Sequence, residues 1–119
     1  MRVKASNGSS RSFSHLYWGW IRKISSEEGV VLPQSGSGTD SLSARETKEL
    51  ADALRARAEK IRRGVAPRDA SSYVQLVGKE HLPDLGEGTE ELGADFDDPD
   101  AMEQTASFLY TSGGITLSY

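Results

Sequence analysis

The segment from Ser43 to Arg63 constrains the fold of this chain more than any other. Ser43 and Glu46 have capping-box spacing, in which the serine hydroxyl and the glutamate carboxylate each accept from the other's backbone amide. The pattern predicts an amphipathic helix that packs on a core, and Gly64 is typical of a left-handed C-terminal cap. Its apolar side, within about 120° of arc, contains Ala44, Thr47, Leu50, Ala51, Leu54, Ala58 and Ile61.

A second helix is predicted between Phe13 and Ile24, where large aromatic and aliphatic residues recur at intervals of three and four. Ser12 or Ser14 can cap its beginning, and Gly29 can end it. The aromatic side chains on the apolar side of this helix are bulky, whereas the Ser43–Arg63 helix offers small ones. We therefore expect the two helices to pack closely together.

A third helix is predicted to begin at Asp98, because aspartate is a good N-cap and Pro99 is favoured at the first helical position. The Gly113-Gly114 pair is expected to end it. Residues 67–82 fit either a helix or a short strand, and the spacing of their apolar residues favours the helix. The sequence thus predicts three or four helices.

Short strands are predicted at both ends of the sequence, where residues 1–5 and 115–119 alternate between apolar and polar side chains. We expect these two strands to pair. A further brief strand is expected at Val30–Leu32, just before Pro33. The expected fold is α+β, with the helices packed on a small sheet that includes the N- and C-terminal strands. At 119 residues, residues 1–119 should form one small domain, with a flexible acidic loop at 83–97.

Composition excludes several classes of site. The chain has no cysteine, so disulfides and thiolate metal sites are ruled out, and its two histidines, His15 and His81, are isolated. No apolar run approaches the roughly 20 residues of a membrane span, which predicts a soluble protein and is compatible with a cytoplasmic location. The net charge of −4 combines a basic part, residues 1–68 with 13 Lys/Arg and 7 Asp/Glu, with an acidic remainder of 1 Lys and 11 Asp/Glu.

Trp18 departs from the pattern of its helix. It projects about 100° from the centre of the apolar stripe, on the same side as His15 and Arg22. An aromatic on a polar face is either covered by another element or exposed as a contact site. The second interpretation makes His15, Trp18 and Arg22 a candidate partner-binding patch, since Trp and Arg are enriched at interface hot spots.

Two features suggest anion binding as an alternative. The loop from Gly36 to Ser43, with Gly36 and Gly38, leads into a helix N-terminus, where free amides can hold a phosphate. Neither a dinucleotide fingerprint nor a P-loop is complete there, which favours a plain loop. The second feature is a basic cluster at the end of the same helix, made of Arg62, Arg63 and Arg68.

The acidic run Asp95–Asp100 resembles a calcium loop only partly, because Asp100 occupies the position where an EF-hand requires glycine. A helix start explains the same residues, so we expect no metal and no cofactor. No spacing brings a histidine together with a carboxylate and a serine. The sequence therefore argues against an enzyme without excluding one.

The expected function is that of a small protein-interaction or regulatory module without catalytic activity, acting on a protein partner or through self-association. Binding of a nucleotide or another anionic ligand is the second hypothesis, and a small enzyme is the third. The mixed charges on the solvent side of the Ser43–Arg63 helix argue against nucleic acid as the partner.

Overall fold

Four strands and four helices are present in the part of the chain that the computed structural model describes, residues 2–32, 39–66, 70–77 and 96–118. The strands are β1 (Arg2–Ala5), β2 (Ser10–Ser12), β3 (Thr39–Leu42) and β4 (Ile115–Ser118). The helices are α1 (His15–Glu27), α2 (Ala44–Arg62), α3 (Ala70–Val77) and α4 (Pro99–Ser112). The predicted α+β class is confirmed.

The sheet has the strand order β2-β1-β4-β3, and all neighbouring strands are antiparallel. The predicted pairing of the first and last strands is also confirmed, since Val3 lies opposite Leu117 and Ala5 opposite Ile115. All four side chains are buried, as expected for the core-facing positions of strands that alternate. The helices pack on this side of the sheet and share one core with it.

Helix α2 forms as its sequence predicts. Ser43 Oγ accepts from the Glu46 amide at 3.2 Å, and Glu46 Oε1 accepts from the Ser43 amide at 2.8 Å, which completes the capping box. Gly64, with φ of +72°, follows its C-terminal end. Apart from Ala44, which is exposed, the apolar side of α2 is buried and packs mainly against α4. This pair of helices is the central part of the core.

The other predicted helices are also present. Ser14 caps α1 by accepting from the Tyr17 amide at 3.0 Å, and the helix continues to Glu27. Asp98 caps α4 by accepting from the Asp100 amide at 3.1 Å. Within residues 67–82, the described part is helical and forms α3, as the apolar spacing favoured.

Two local predictions are wrong, and one strand was missed. Residues 30–32 form no strand, because Gly29 has φ of +91° and the Val30 amide donates back to Ser25 O at 2.8 Å. The predicted Gly/Ser loop before α2 includes strand β3, whose pairing with β4 outweighs its weak strand propensity. Strand β2, whose three residues are all exposed, was not predicted from the sequence.

None of the helices in the described ranges is long and apolar enough to cross a membrane. Of the predicted acidic loop at 83–97, residues 83–95 lie outside the described residues. Phe96 and Asp97 are described, and both are buried. The Asp97 carboxylate accepts from the Ala70 amide at 2.8 Å and so caps the N-terminus of α3.

Candidate functional site

The side of the sheet away from the helices is exposed. Strand alternation places every second residue there, and register joins these residues into one surface. We call this surface the outer face. Its described side chains, all exposed, are those of Arg2, Lys4, Ser10, Ser12, Ser41, Thr116 and Ser118.

The outer face has a repeated arrangement of side chains. Arg2 lies between Ser12 on β2 and Ser118 on β4. Two residues along β1, Lys4 lies between Ser10 and Thr116. Directly opposed residues in antiparallel strands have Cβ atoms about 5 Å apart. Each cation is therefore flanked on both sides by a hydroxyl group.

The seven side chains of the outer face include no carboxylate, no aromatic ring and no aliphatic residue. Arg2 and Lys4 give it a charge of +2, although the whole chain has a net charge of −4. Hydroxyls donate and accept hydrogen bonds, whereas guanidinium and ammonium groups only donate. This combination suits a ligand that presents negatively charged oxygen atoms.

A second feature is an open groove of about 320 Å³ between α2 and α4, with a polar lining. Tyr110 Oη donates to the Asp52 carboxylate, and the Arg55 guanidinium lies 5.6 Å from the centre of the Tyr110 ring. Burial and the Asp52 hydrogen bond raise the pKa of Tyr110, so its phenol stays protonated. The groove is lined by Asp52, Arg55, Ala56, Glu59, Arg62, Glu103 and Tyr110.

The charges in this groove are engaged with one another. Arg62 donates to Asp100 at 2.6 Å and to both carboxylate oxygens of Glu103. Hydrogen bonding to Glu103 raises the pKa of Arg62, and the same bond lowers the pKa of Glu103. Since ligand sites are usually concave and largely apolar, an open groove of mutually paired charges is better explained as a link between two helices.

The structure does not bring the predicted Trp18 patch to the surface. Of the two interpretations of Trp18, coverage by another element is correct and exposure as a contact site is not, because its side chain is 3% exposed and belongs to the core. Its indole Nε1 is buried and has no hydrogen-bond partner among the described residues. His15, the first residue of α1, is half-buried, and Arg22 Nη2 donates to Leu32 O at 3.2 Å. The burial of Trp18 removes the basis for a contact site centred on it.

The predicted anion-binding residues are partly described. Ser43 uses both its hydroxyl and its amide in the capping box. Arg62 is paired with α4, and Arg63 Nη1 lies 3.6 Å from Glu59 Oε1. The remaining candidates, Gly36, Gly38 and Arg68, lie outside the described residues. The cations available at this end of α2 already have carboxylate partners.

Sequence reasoning missed the outer face as a site. The alternation of residues 1–5 and 115–119 contained part of the signal, because it places Arg2, Lys4, Thr116 and Ser118 on one side. The serines of β2 and β3 lie on strands without apolar alternation, so their position depended on pairing that no local pattern shows.

Among the described residues, no group of three or more His, Asp or Glu side chains is arranged to hold a metal ion. A scan against protein-family models found no match to this chain, and searches of curated proteins and of solved structures found none either.

Proposed function

We propose that this protein is a non-catalytic interaction module that binds a protein partner through the outer face of its sheet. The observation behind this proposal is the composition of that face: seven exposed side chains, all hydroxylated or cationic, arranged by register on four strands. The lack of cysteine agrees with a cytoplasmic location, which is part of the proposal.

The size of the face favours a transient interaction. Four strands at about 4.8 Å spacing and four residues at about 3.4 Å rise span roughly 14 by 10 Å between backbone atoms. A standard interface buries about 800 Å² on each partner, so the outer face alone is smaller than that. Its hydroxyls are also under-represented at hot spots, whereas arginine is enriched there. We therefore expect Arg2 to be the main anchor and binding to weaken with salt.

Self-association through this face is disfavoured. A two-fold symmetric contact places the same surface on both subunits. Arg2 and Lys4 would then lie opposite the same cations of a second copy, with no carboxylate among the described side chains of the face to compensate them. A different protein is therefore the better candidate partner.

A photo-cross-linking experiment tests the proposal. A photoreactive amino acid is placed at Thr116 on the outer face and, as a control, at Ser107, an exposed residue of similar size on α4. In the native cell, we expect a discrete adduct from position 116 that disappears when Arg2→Gln and Lys4→Gln are combined with it. Adducts that also form from position 107, or that persist without the two cations, contradict the proposal.

A further inference from the structure

We propose that the partner presents an extended, carboxylate-rich protein segment whose acidic residues occupy alternate positions, and that this segment lies along β1 on the outer face. This inference rests on the proposed function of the same face. It identifies the chemistry of the partner and the conformation in which it is bound.

The sign of the charge is the first argument. Arg2 and Lys4 are the only charged residues among the described side chains of the outer face, so the face is locally positive on an acidic protein. Complementary charges steer association and select partners. A carboxylate-rich segment is therefore attracted to this surface.

The hydroxyls are the second argument. An ionised carboxylate has about four acceptor positions on its two oxygens, and a single lysine ammonium does not fill all of them. Each cation on the outer face has a hydroxyl on either side: Ser12 and Ser118 beside Arg2, and Ser10 and Thr116 beside Lys4. One carboxylate at each position can therefore accept from a cation and from two hydroxyls. The face offers two such sites.

The spacing of the two sites is the third argument. Arg2 and Lys4 are two residues apart on one strand, which separates them by about 6.8 Å. Alternate side chains of a second extended segment have the same separation and point to the same side. A segment with acidic residues at positions i and i+2 therefore matches both sites at once.

Single-stranded nucleic acid fits the face less well. Proteins that bind it combine a positively charged groove with aromatic side chains on which bases stack. The described side chains of the outer face include no aromatic ring and only two cations. Two phosphate contacts give little of the electrostatic affinity on which such binding depends.

Two synthetic peptides of equal length, charge and composition test the inference. One repeats Glu-Ser, which places carboxylates at i and i+2, and the other repeats Glu-Glu-Ser-Ser, which has no such pair. Both are titrated at low salt into untagged, isotope-labelled protein, because Arg2 and Ser118 are paired and a tag at either end would lie beside the face. We expect the Glu-Ser peptide to bind about tenfold more tightly and to shift the amide signals of β1 and β4.

Matched variants locate the binding. Arg2→Gln with Lys4→Gln should abolish the shifts, whereas Arg45→Gln with Lys48→Gln, which removes two exposed cations from α2, should leave them unchanged. Thr116→Val keeps the size of the side chain and both cations but removes one hydroxyl, so it should weaken binding several-fold. The amide spectrum of each variant without peptide checks that the fold is intact.

Equal affinity for the two peptides, or binding that persists without Arg2 and Lys4, overturns the inference. A single-stranded oligonucleotide of equal charge that displaces the Glu-Ser peptide also overturns it, because the face would then be a general polyanion surface. If neither peptide binds but the Thr116 adduct still depends on the two cations, this inference fails and the proposed function stands.

Discussion

Gly19 lies where the Tyr73 side chain of α3 approaches α1 most closely. It lies inside α1, where alanine is normally preferred to glycine by about 1 kcal/mol. A Cβ atom at this position would lie 2.6 Å from Tyr73 Oη, which is too close for contact. The bare backbone thus allows the Tyr73 side chain, and with it α3, to approach α1. The Tyr73 ring also packs on Trp20, with ring centres 5.2 Å apart.

We therefore expect the effect of Gly19→Ala on the free energy of unfolding to change sign when Tyr73 is also substituted. Alone it should lower the free energy of unfolding, because the new methyl group displaces Tyr73. In a protein that already has Tyr73→Phe, which removes the hydroxyl, Gly19→Ala should raise the free energy of unfolding by about 0.5–1 kcal/mol through better helix propensity. Urea unfolding of the four proteins in this cycle measures the coupling, which we expect to be about 1 kcal/mol or more. Additive effects would show that Tyr73 does not lie against Gly19.

Residues whose role is local were predictable from the sequence, and those whose role depends on a distant partner were not. Ser14, Ser43 and Asp98 cap the helices that follow them, because a cap bonds to amides only two or three residues away. Trp18 shows the opposite case. The helical period showed that the Trp18 side chain points away from the apolar stripe of α1. It could not show that other elements of the fold cover that side of the helix.

At the scale of elements, α1 and α2 are joined by a cluster of charges. Arg57, whose side chain is 8% exposed, lies 3.0 Å from Glu27 and 3.2 Å from Glu28, and Lys60 lies 2.6 Å from Glu28. The sequence had placed Arg57 on an ordinary solvated face, which is wrong. Breaking a buried pair is costly because it leaves one charge uncompensated. The cluster therefore fixes how the end of α1 lies against α2.

The same cluster predicts a dependence of stability on pH. Burial alone would raise the pKa of Glu27, but hydrogen bonds from Lys23 and Arg57 outweigh it and hold that pKa below its ordinary value of 4.5. A lowered pKa means that ionised Glu27 stabilises the fold above the unfolded-state pKa and stops doing so as pH falls through the folded-state pKa. The Glu27 side chain is 40% exposed, so the contribution should stay below about 1 kcal/mol.

We expect Glu27→Gln to lower the free energy of unfolding by a constant amount at neutral pH and by a decreasing amount below pH 4.5. Chemical unfolding at a series of pH values measures this difference. Glu49→Gln is the matched control, because Glu49 pairs with the exposed Arg45 of the same helix and, among the described residues, with no other cation, so the substitution should show little effect at any pH. If the difference in free energy of unfolding between the original protein and Glu27→Gln grew as the pH fell, the pairing of Glu27 with Lys23 and Arg57 would be wrong.

For the whole molecule, the central fact is the position of the last strand. β4 lies between β1 and β3, so the sheet is incomplete until the C-terminal residues pair. The alternation of residues 1–5 and 115–119 allowed this pairing to be predicted. The two edge strands, β2 and β3, could not be predicted. Neither segment shows apolar alternation, and each becomes a strand only because it pairs with its neighbour. The outer face extends across those edge strands, which is why its extent was not predicted either.

This topology makes the chain suitable for circular permutation. Arg2 and Ser118 lie opposite each other on neighbouring strands, so a short Gly/Ser linker can join the two ends. New ends can be opened between Gly8 and Ser9, since a Cβ added at Gly8 would meet nothing within 4 Å. We expect the permuted protein to unfold cooperatively, with a free energy within about 1 kcal/mol of the original. It should keep the amide signals of β1 and β4.

A chain truncated after Ser112 is the control for the permuted protein. It lacks β4, leaves β1 and β3 without their shared neighbour and exposes the core around Val3 and Leu42, so it should lose cooperative unfolding. Circular dichroism during thermal unfolding distinguishes the two proteins. If the truncated chain still unfolded cooperatively while the permuted one did not, β4 could not lie between β1 and β3. The register that places two cations between hydroxyls on the outer face would then be wrong as well, because it depends on the same pairing of β1 with β4.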